Sequence, residues 1–146
     1  MAKALQQKLP VEAIPGPSAI LTALGLCGFL EDGFTFVGFP PSRSVDRKRW
    51  FLNLADEPRP LVLFESPHRI QKSLKEALNI FGDRPIFIGR ELTKMHEQRI
   101  HGTISEVIGK ISNKKGEFTI IIDSAEPAIP PSTLPKGNAL WEEFCQ

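Results

Sequence analysis

The stretch "PLVLFESPHRIQKSLKEALNIFGDRPIFIGREL", residues 60–92, reads as strand, helix and strand in succession. Leu61–Phe64 is a short apolar run that suits a buried strand. Ile70, Leu74, Ala77, Leu78 and Phe81 then recur at the spacing of one apolar helix stripe. Gly82 suits the helix end, and "PIFIGREL" (85–92) returns to strand. Ser66 followed by Pro67 is a helix-start pattern, with the hydroxyl capping free amides and proline fitting the first turn. Glu65, His68 and Arg69 remain. They are three polar side chains at a strand exit that no turn requires.

The pattern continues on both sides. Residues 2–9 read as a short helix or the tail of one. "VEAI" (11–14) reads as a short strand ended by Pro15-Gly16-Pro17-Ser18, and "SAILTALGLCGFL" (18–30) as a largely buried helix. "FTFVGF" (34–39) is aromatic and β-branched, as strands are. A Pro-Pro-Ser turn and a basic helix around 43–55 follow. Downstream, "EQRIHGTI" (97–104) alternates weakly and suits a strand paired antiparallel with a neighbour. Ile104, Val107, Ile108 and Ile111 make a helical stripe, and "EFTIIID" (117–123) is a last strand. Strands alternating with helices predict an α/β fold: a mixed, mostly parallel sheet of about five strands with helices on both faces. Past Asp123, prolines at 127, 130, 131 and 135 mark a tail over 124–146, with a terminal helix at "ALWEEFCQ".

Composition narrows the class. A chain of 146 residues fits one domain with a sizeable core. Eighteen basic against 17 acidic residues give a net charge of +1, which excludes a global pull toward nucleic acid or membrane. Cys27 and Cys145 are too few and too far apart for a disulfide framework or metal site, and suit a reducing compartment. No apolar run approaches the ~18 residues of a membrane span, and no signal-peptide pattern is visible. The expectation is a cytoplasmic protein. There is no Gly-rich phosphate loop. In "HEQRIH", His96 and His101 are one residue too far apart for a zinc-protease helix, so no metal is expected. "GLCG" (25–28) has the spacing of an RNA-clamping loop but lies in an apolar helix. Ser18 and Ser66 lack a nucleophile elbow.

In an open α/β sheet, ligands collect beyond the carboxyl ends of the strands, where helix N-termini present free amides. Three polar exits of this sort, "IPGPS" (14–18), "FESPHR" (64–69) and "GRELTKMHE" (89–97), predict one shared cleft. Arg43, Arg47, Lys48 and Arg49, with Trp50, form either a solvated face anchored on the core or a contact for phosphates.

Taken in order, "IPGPSAILTAL", "GFPP", "LFESPHRI", "RELTKMHE", "GT" and "GEFTIII" resemble the C-terminal half of the S-adenosylmethionine-dependent tetrapyrrole (corrin/porphyrin) methylase superfamily, over residues 9–122. The wording is closest to the branch acting on the ribosomal RNA small subunit, which methylates a cytidine 2′-hydroxyl of 16S rRNA. The resemblance implies a two-domain enzyme with S-adenosyl-L-methionine held between the domains. Residues 10–123 would be the C-terminal methylase domain and residues 1–9 a remnant of the interdomain segment. The N-terminal domain with the cofactor loop is absent from this sequence, so the fragment alone is expected to be inactive. Carried over by motif, the cofactor-binding residues are Pro15, Gly16, Ser18, Phe64, Glu65, Arg90, Leu92, Thr93, Gly102 and Thr103. A 2′-hydroxyl is a poor nucleophile, so Glu65 or Glu91 is expected as base, and Lys94 or Arg90 as the charge that favours the alkoxide. Arg43, Arg47, Lys48, Arg49 and Arg69 are expected to hold rRNA phosphates. The implied partners are 16S rRNA in the small ribosomal subunit, the N-terminal domain and a second copy in a homodimer, with no metal and no membrane. Two alternatives stand: a tetrapyrrole methylase domain, against which "ESPHR" and "RELTK" argue, and a non-catalytic α/β module that dimerises or binds RNA.

Overall fold

The computed structural model describes residues 7, 11, 12, 16, 18–29, 33–111 and 115–124. Among them the chain forms α1 (Ala19–Cys27), β1 (Thr35–Gly38), α2 (Ser44–Leu52), β2 (Leu61–Glu65), α3 (Ile70–Phe81), β3 (Pro85–Arg90), β4 (Gln98–Thr103), α4 (Ile104–Lys110) and β5 (Phe118–Ile122). The expected strand over 11–14 is not seen at Val11 and Glu12, and residues 13–14 lie outside the described residues. So do 1–6, 8–10 and 125–146, which hold nearly all of the expected N-terminal segment and tail.

The five strands form one sheet in the order β1-β2-β5-β3-β4. Its mixed α/β character is as expected, but it is not mostly parallel. Only β1 and β2 pair parallel; β5 pairs antiparallel with both β2 and β3, and β4 antiparallel with β3. Connection length explains this. A parallel neighbour needs a crossover of about a dozen residues or more, whereas β3 and β4 are joined by residues 91–97 alone, so β4 must turn back. Helix α4 then carries the chain across β3, and β5 enters beside it in the direction of β4. Strands β1, β2 and β3 do share one direction, with β5 inserted between two of them.

Apolar content sets the strand positions. "FTIII" in β5 is buried throughout and β3 almost so, as central strands covered on both faces must be. β1 and β4 mix exposed and half-buried residues and form the edges. Leu61, Leu63, Ile86, Ile88, Phe118, Ile120 and Ile122 pack against Phe51 of α2, Leu74 and Ala77 of α3 and Val107 of α4. Val62, Phe87 and Ile121 alternate to the other face and meet Ala23, Leu24 and Leu26 of α1. Helices therefore cover both faces, three on one side and one on the other. Among the described residues no helix is long and apolar enough to cross a membrane.

Candidate active site

Because β1, β2 and β3 run the same way, their carboxyl ends meet at one edge of the sheet, where β5 and β4 begin. Glu65 and Arg90 both stand opposite Phe118, and Arg90 stands opposite Gln98. The "FESPHR" and "GREL" exits thus converge as expected. Beyond that edge lies a cavity of about 390 Å³ lined by Ala19, Phe39, Phe64, Glu65, Ser66 and Pro67, with Gly116 to Thr119 opposite. Its wall is aromatic. The Phe64 ring lies 5.3 Å from Phe36 and 5.4 Å from Phe39, within the range of favourable ring pairs. A register shift at Gly38, whose φ is 73°, turns the chain so that Phe39 joins this wall. Phe39 is nevertheless 64% exposed, an open aromatic surface beside a cavity.

Glu65 is 2% exposed and both carboxylate oxygens are engaged. One accepts the Ser66 N–H at 2.7 Å and the Arg69 guanidinium at 2.9 Å; the other accepts the Ser73 hydroxyl at 2.5 Å. Arg69 in turn donates to the Ser42 hydroxyl at 3.0 Å, the Pro40 carbonyl at 3.4 Å and Ser66 Oγ at 3.1 Å. Arg47, also buried, donates to the carbonyls of Pro41 and Ser42 and forks onto Glu76. Burial pushes the Glu76 carboxyl up, but the bonds from Arg47 and Ser44 outweigh it and hold it below the usual range. Two arginines therefore fasten the loop that carries Phe39.

This network bears on three expectations. Arg47 and Arg69, expected to hold RNA phosphates, have their guanidinium donors engaged inside the protein. Glu65, expected as a base, accepts from the Ser66 N–H, Arg69 and Ser73 and, through Arg69, ties β2 and α3 to the Pro40–Ser42 loop. Ser66 does not cap the helix with its hydroxyl: α3 begins at Ile70, Ser66 contributes its carbonyl to the N–H groups of Arg69 and Ile70, and its hydroxyl receives Arg69. Sequence reasoning missed Ser42, Ser73 and Glu76. The signal available was the demand of a buried carboxylate and a buried guanidinium for partners.

The exit of β3 is strained. Glu91 (φ 50°) and Thr93 (φ 70°) are non-glycine residues in left-handed backbone, at a cost of about 1–3 kcal/mol each. Hydrogen bonds hold them there. The Glu91 N–H donates to the Glu117 carbonyl at 3.0 Å, and the Glu91 carboxylate accepts the Glu117 N–H at 2.8 Å and Lys94 Nζ at 3.1 Å. Lys94 also reaches Glu117 at 3.1 Å, and the Thr93 N–H donates to Glu97 at 2.6 Å. Leu92 is buried over Gly89, where a Cβ would stand 2.6 Å from Leu92 Cδ1. It belongs to the core beneath the site. The Glu117 N–H and then Lys94 hold the Glu91 carboxyl below its usual range, while Glu91 and Glu117 raise Lys94. Glu91 is accordingly a weak base, and Lys94 a firm cation.

Two expected cofactor residues lie elsewhere. Gly102 pairs with Ile86 and Thr103 with Pro85, at the opposite end of the sheet. With ~3.3 Å per strand residue, they stand roughly 15 Å from the cavity edge. The cause is the antiparallel course of β4, and Thr103 serves as N-cap of α4. Ser18 accepts the Leu21 N–H at 3.4 Å as N-cap of α1, one residue before the cavity-lining Ala19. Gly16 is exposed, and Pro15 lies outside the described residues. Arg43, Lys48 and Arg49 are exposed along α2. His96 sits in the 91–97 loop and His101 in β4, against the Phe87 ring at 4.8 Å.

A mixed α/β domain with an aromatic cavity at the converging strand ends is the architecture of a small-molecule-binding enzyme domain. Residues 1–108 match the family described as Tetrapyrrole (Corrin/Porphyrin) Methylases, and the chain belongs to it. Ribosomal RNA small subunit methyltransferase I of Thermotoga maritima is 40% identical over 123 residues, covering 83% of this chain and 55% of its own length. The protein of that name from Mycobacterium tuberculosis is 38% identical over 146 residues, covering 99% of this chain and 50% of its own. The chain thus spans about half the length of these curated relatives. Among solved structures, the methyltransferase CobJ aligns with a TM-score of 0.57 at 14% identity, over 88% of this chain and 59% of that one. Uroporphyrin-III C-methyl transferase from Thermus thermophilus, complexed with S-adenyl homocysteine, aligns with a TM-score of 0.50 at 24% identity, over 81% and 55%. At these identities the likeness is one of fold.

Proposed function

We propose that this chain is the C-terminal half of an S-adenosylmethionine-dependent methyltransferase of small-subunit ribosomal RNA, acting on a cytidine 2′-hydroxyl of 16S rRNA. The observation that carries the reading is the Phe39–Phe64 wall over a cavity at the β2 exit. A volume of about 390 Å³ falls within the ~300–1,000 Å³ of small-molecule sites, and flat aromatic faces suit a purine ring. S-adenosylmethionine, when bound, supplies a methyl group on a positively charged sulfur. In this reading Phe39 and Phe64 hold its adenine, with Ser66, Pro67 and the 116–119 segment as the remaining walls. Glu65, Arg69 and Arg47 keep the aromatic wall in place.

Glu91 is held ionised by the Glu117 N–H and Lys94, and the Glu65 carboxylate is engaged by Ser66, Arg69 and Ser73. The chain's contribution is therefore chiefly alignment, with Lys94 as the charge beside the acceptor oxygen. Arg43, Lys48 and Arg49 extend a cationic face toward rRNA. The protein acts in the cytoplasm, without metal, with an N-terminal domain completing the cleft and a second copy completing a homodimer. Calorimetric titration of S-adenosylhomocysteine into the two-domain enzyme containing this chain tests the reading. Phe64→Ala should weaken binding about tenfold or more, the usual worth of a stacked base. Unchanged affinity would remove the proposed adenine site.

A further inference from the structure

A second concavity, of about 620 Å³, lies beside the first and is lined by Arg90, Met95, His96, Glu97, Gln98 and Lys115. Lys115 runs directly into Gly116–Thr119 of the aromatic cavity, so the two spaces share the entry to β5. Arg90 is the one buried residue of this lining, at 7% exposure. Its Nε donates to the Lys115 carbonyl at 2.7 Å and its Nη1 to Gln98 Oε1 at 3.2 Å, both neutral acceptors. Among the described residues no carboxylate forms an ion pair with it. The other buried arginine, Arg47, has Glu76.

The nearby acids are spoken for. Glu91 lies within electrostatic reach of Arg90, but its carboxylate serves Lys94 and the Glu117 N–H. Glu97, on the rim, accepts from the Thr93 N–H and from Arg99. Three of the five N–H donors of Arg90 have no protein acceptor among the described residues, and a largely buried guanidinium favours a counter-charge. Lys115, exposed on the same rim, likewise has no ion pair among the described residues. This arrangement lacks only an oxyanion, and a guanidinium fork matches phosphate oxygens in geometry as well as charge.

We propose that this concavity binds a phosphodiester of the RNA substrate, with Arg90 as buried anchor and Lys115 and His96 on the rim. The proposal rests on the methyltransferase reading and adds to it a subsite for the acceptor strand. A phosphate held here sets the adjoining ribose at the mouth of the aromatic cavity, across the 115–118 segment. Arg90 is then a substrate-positioning group, distinct from the exposed cations of α2.

The test is a titration of the isotope-labelled chain with inorganic phosphate, followed at the Arg90 Nε–H and His96 ring signals by NMR. A short single-stranded RNA containing cytidine, and acetate as a carboxylate control, follow as competitors. The expected result is a saturable shift at Arg90 that is absent at Arg47, with the RNA displacing phosphate and acetate failing to do so. Lys115→Ala, on an exposed side chain, should weaken RNA binding about tenfold, the worth of one charge-assisted contact. It should also lower the salt slope of binding by about 0.7, the single-strand value for one phosphate. A flat response at Arg90 to phosphate overturns the site, and phosphate binding that RNA does not displace, or that acetate does, overturns the RNA assignment. S-adenosylhomocysteine affinity and its loss in Phe64→Ala report the other cavity, so failure here and failure of the methyltransferase reading are distinguishable.

Discussion

The two ends of the sheet are built from similar polar residues put to different use. At the end where β3 begins, several polar groups complete a helix terminus or a chain turn. Ser105 at the start of α4 gives its N–H and hydroxyl to Asp83, at 2.8 and 2.7 Å. Glu106 accepts the Thr103 N–H. Arg84 covers the carbonyls of Phe81 and Ala55 and lies over the Phe81 ring. Helix ends leave backbone groups unpaired, and these residues pair them. At the opposite end the polar content exceeds that need: a buried carboxylate with three partners, two non-glycine residues at positive φ and an exposed phenylalanine beside a cavity. The excess is what marks the working edge.

The contrast is sharpest at Glu65. Glu65→Ala leaves Arg69 and Ser73 facing an uncompensated hole, with an expected loss of about 3–5 kcal/mol in urea unfolding. A loss below about 1 kcal/mol would make the tie between β2, α3 and the Pro40–Ser42 loop ornamental. Next comes Gly116→Ala. At φ 101° any side chain is strained, and the new Cβ would stand 2.7 Å from Glu91 Cγ. A loss of about 1–3 kcal/mol is expected, together with weakened S-adenosylhomocysteine binding in the two-domain enzyme. Thr103→Ala, at the far end, should cost only about 1 kcal/mol as an N-cap and leave that affinity unchanged. Reduced affinity would return Thr103 to the cofactor site.

Acid should loosen the working edge at its strained loop. The Thr93 N–H, with Arg99, holds the Glu97 carboxyl low, as the Glu117 N–H and Lys94 hold Glu91. For a carboxyl depressed on folding, the stabilisation is present above its unfolded value near ~4.3 and is lost as pH falls through the folded one. Hydrogen exchange at the Thr93 and Glu117 amides, which donate to these two carboxylates, should therefore accelerate relative to β5 below that value. Equal acceleration throughout would contradict a local effect. The smallest change is expected for Thr93→Gly. Relief of left-handed strain, worth ~1–2 kcal/mol, is set against the greater freedom of glycine in the unfolded chain, leaving a net gain of a few tenths of a kcal/mol in thermal unfolding. A clear loss would mean that Thr93 is at ease.

By itself, the sequence determined most of the elements. The stripe from Ile70 to Phe81 and the short apolar runs Ile120–Ile122 and Leu61–Phe64 are local patterns that hydrophobic burial reads directly. The convergence of "FESPHR" and "GREL" was also legible, because strands linked by helices tend to share a direction. Tertiary structure alone decided which strands are neighbours, and with them the fate of individual side chains. The antiparallel return of β4 carried Gly102 and Thr103 away from the cleft, and folding paired Arg47 with Glu76 and Arg69 with Glu65 while leaving Arg90, among the described residues, without a carboxylate ion pair. Arginine carries the same charge at all three positions. Whether it binds a ligand or fastens the fold depends on which acids lie within a few ångströms, and that distance is fixed only when the whole chain closes.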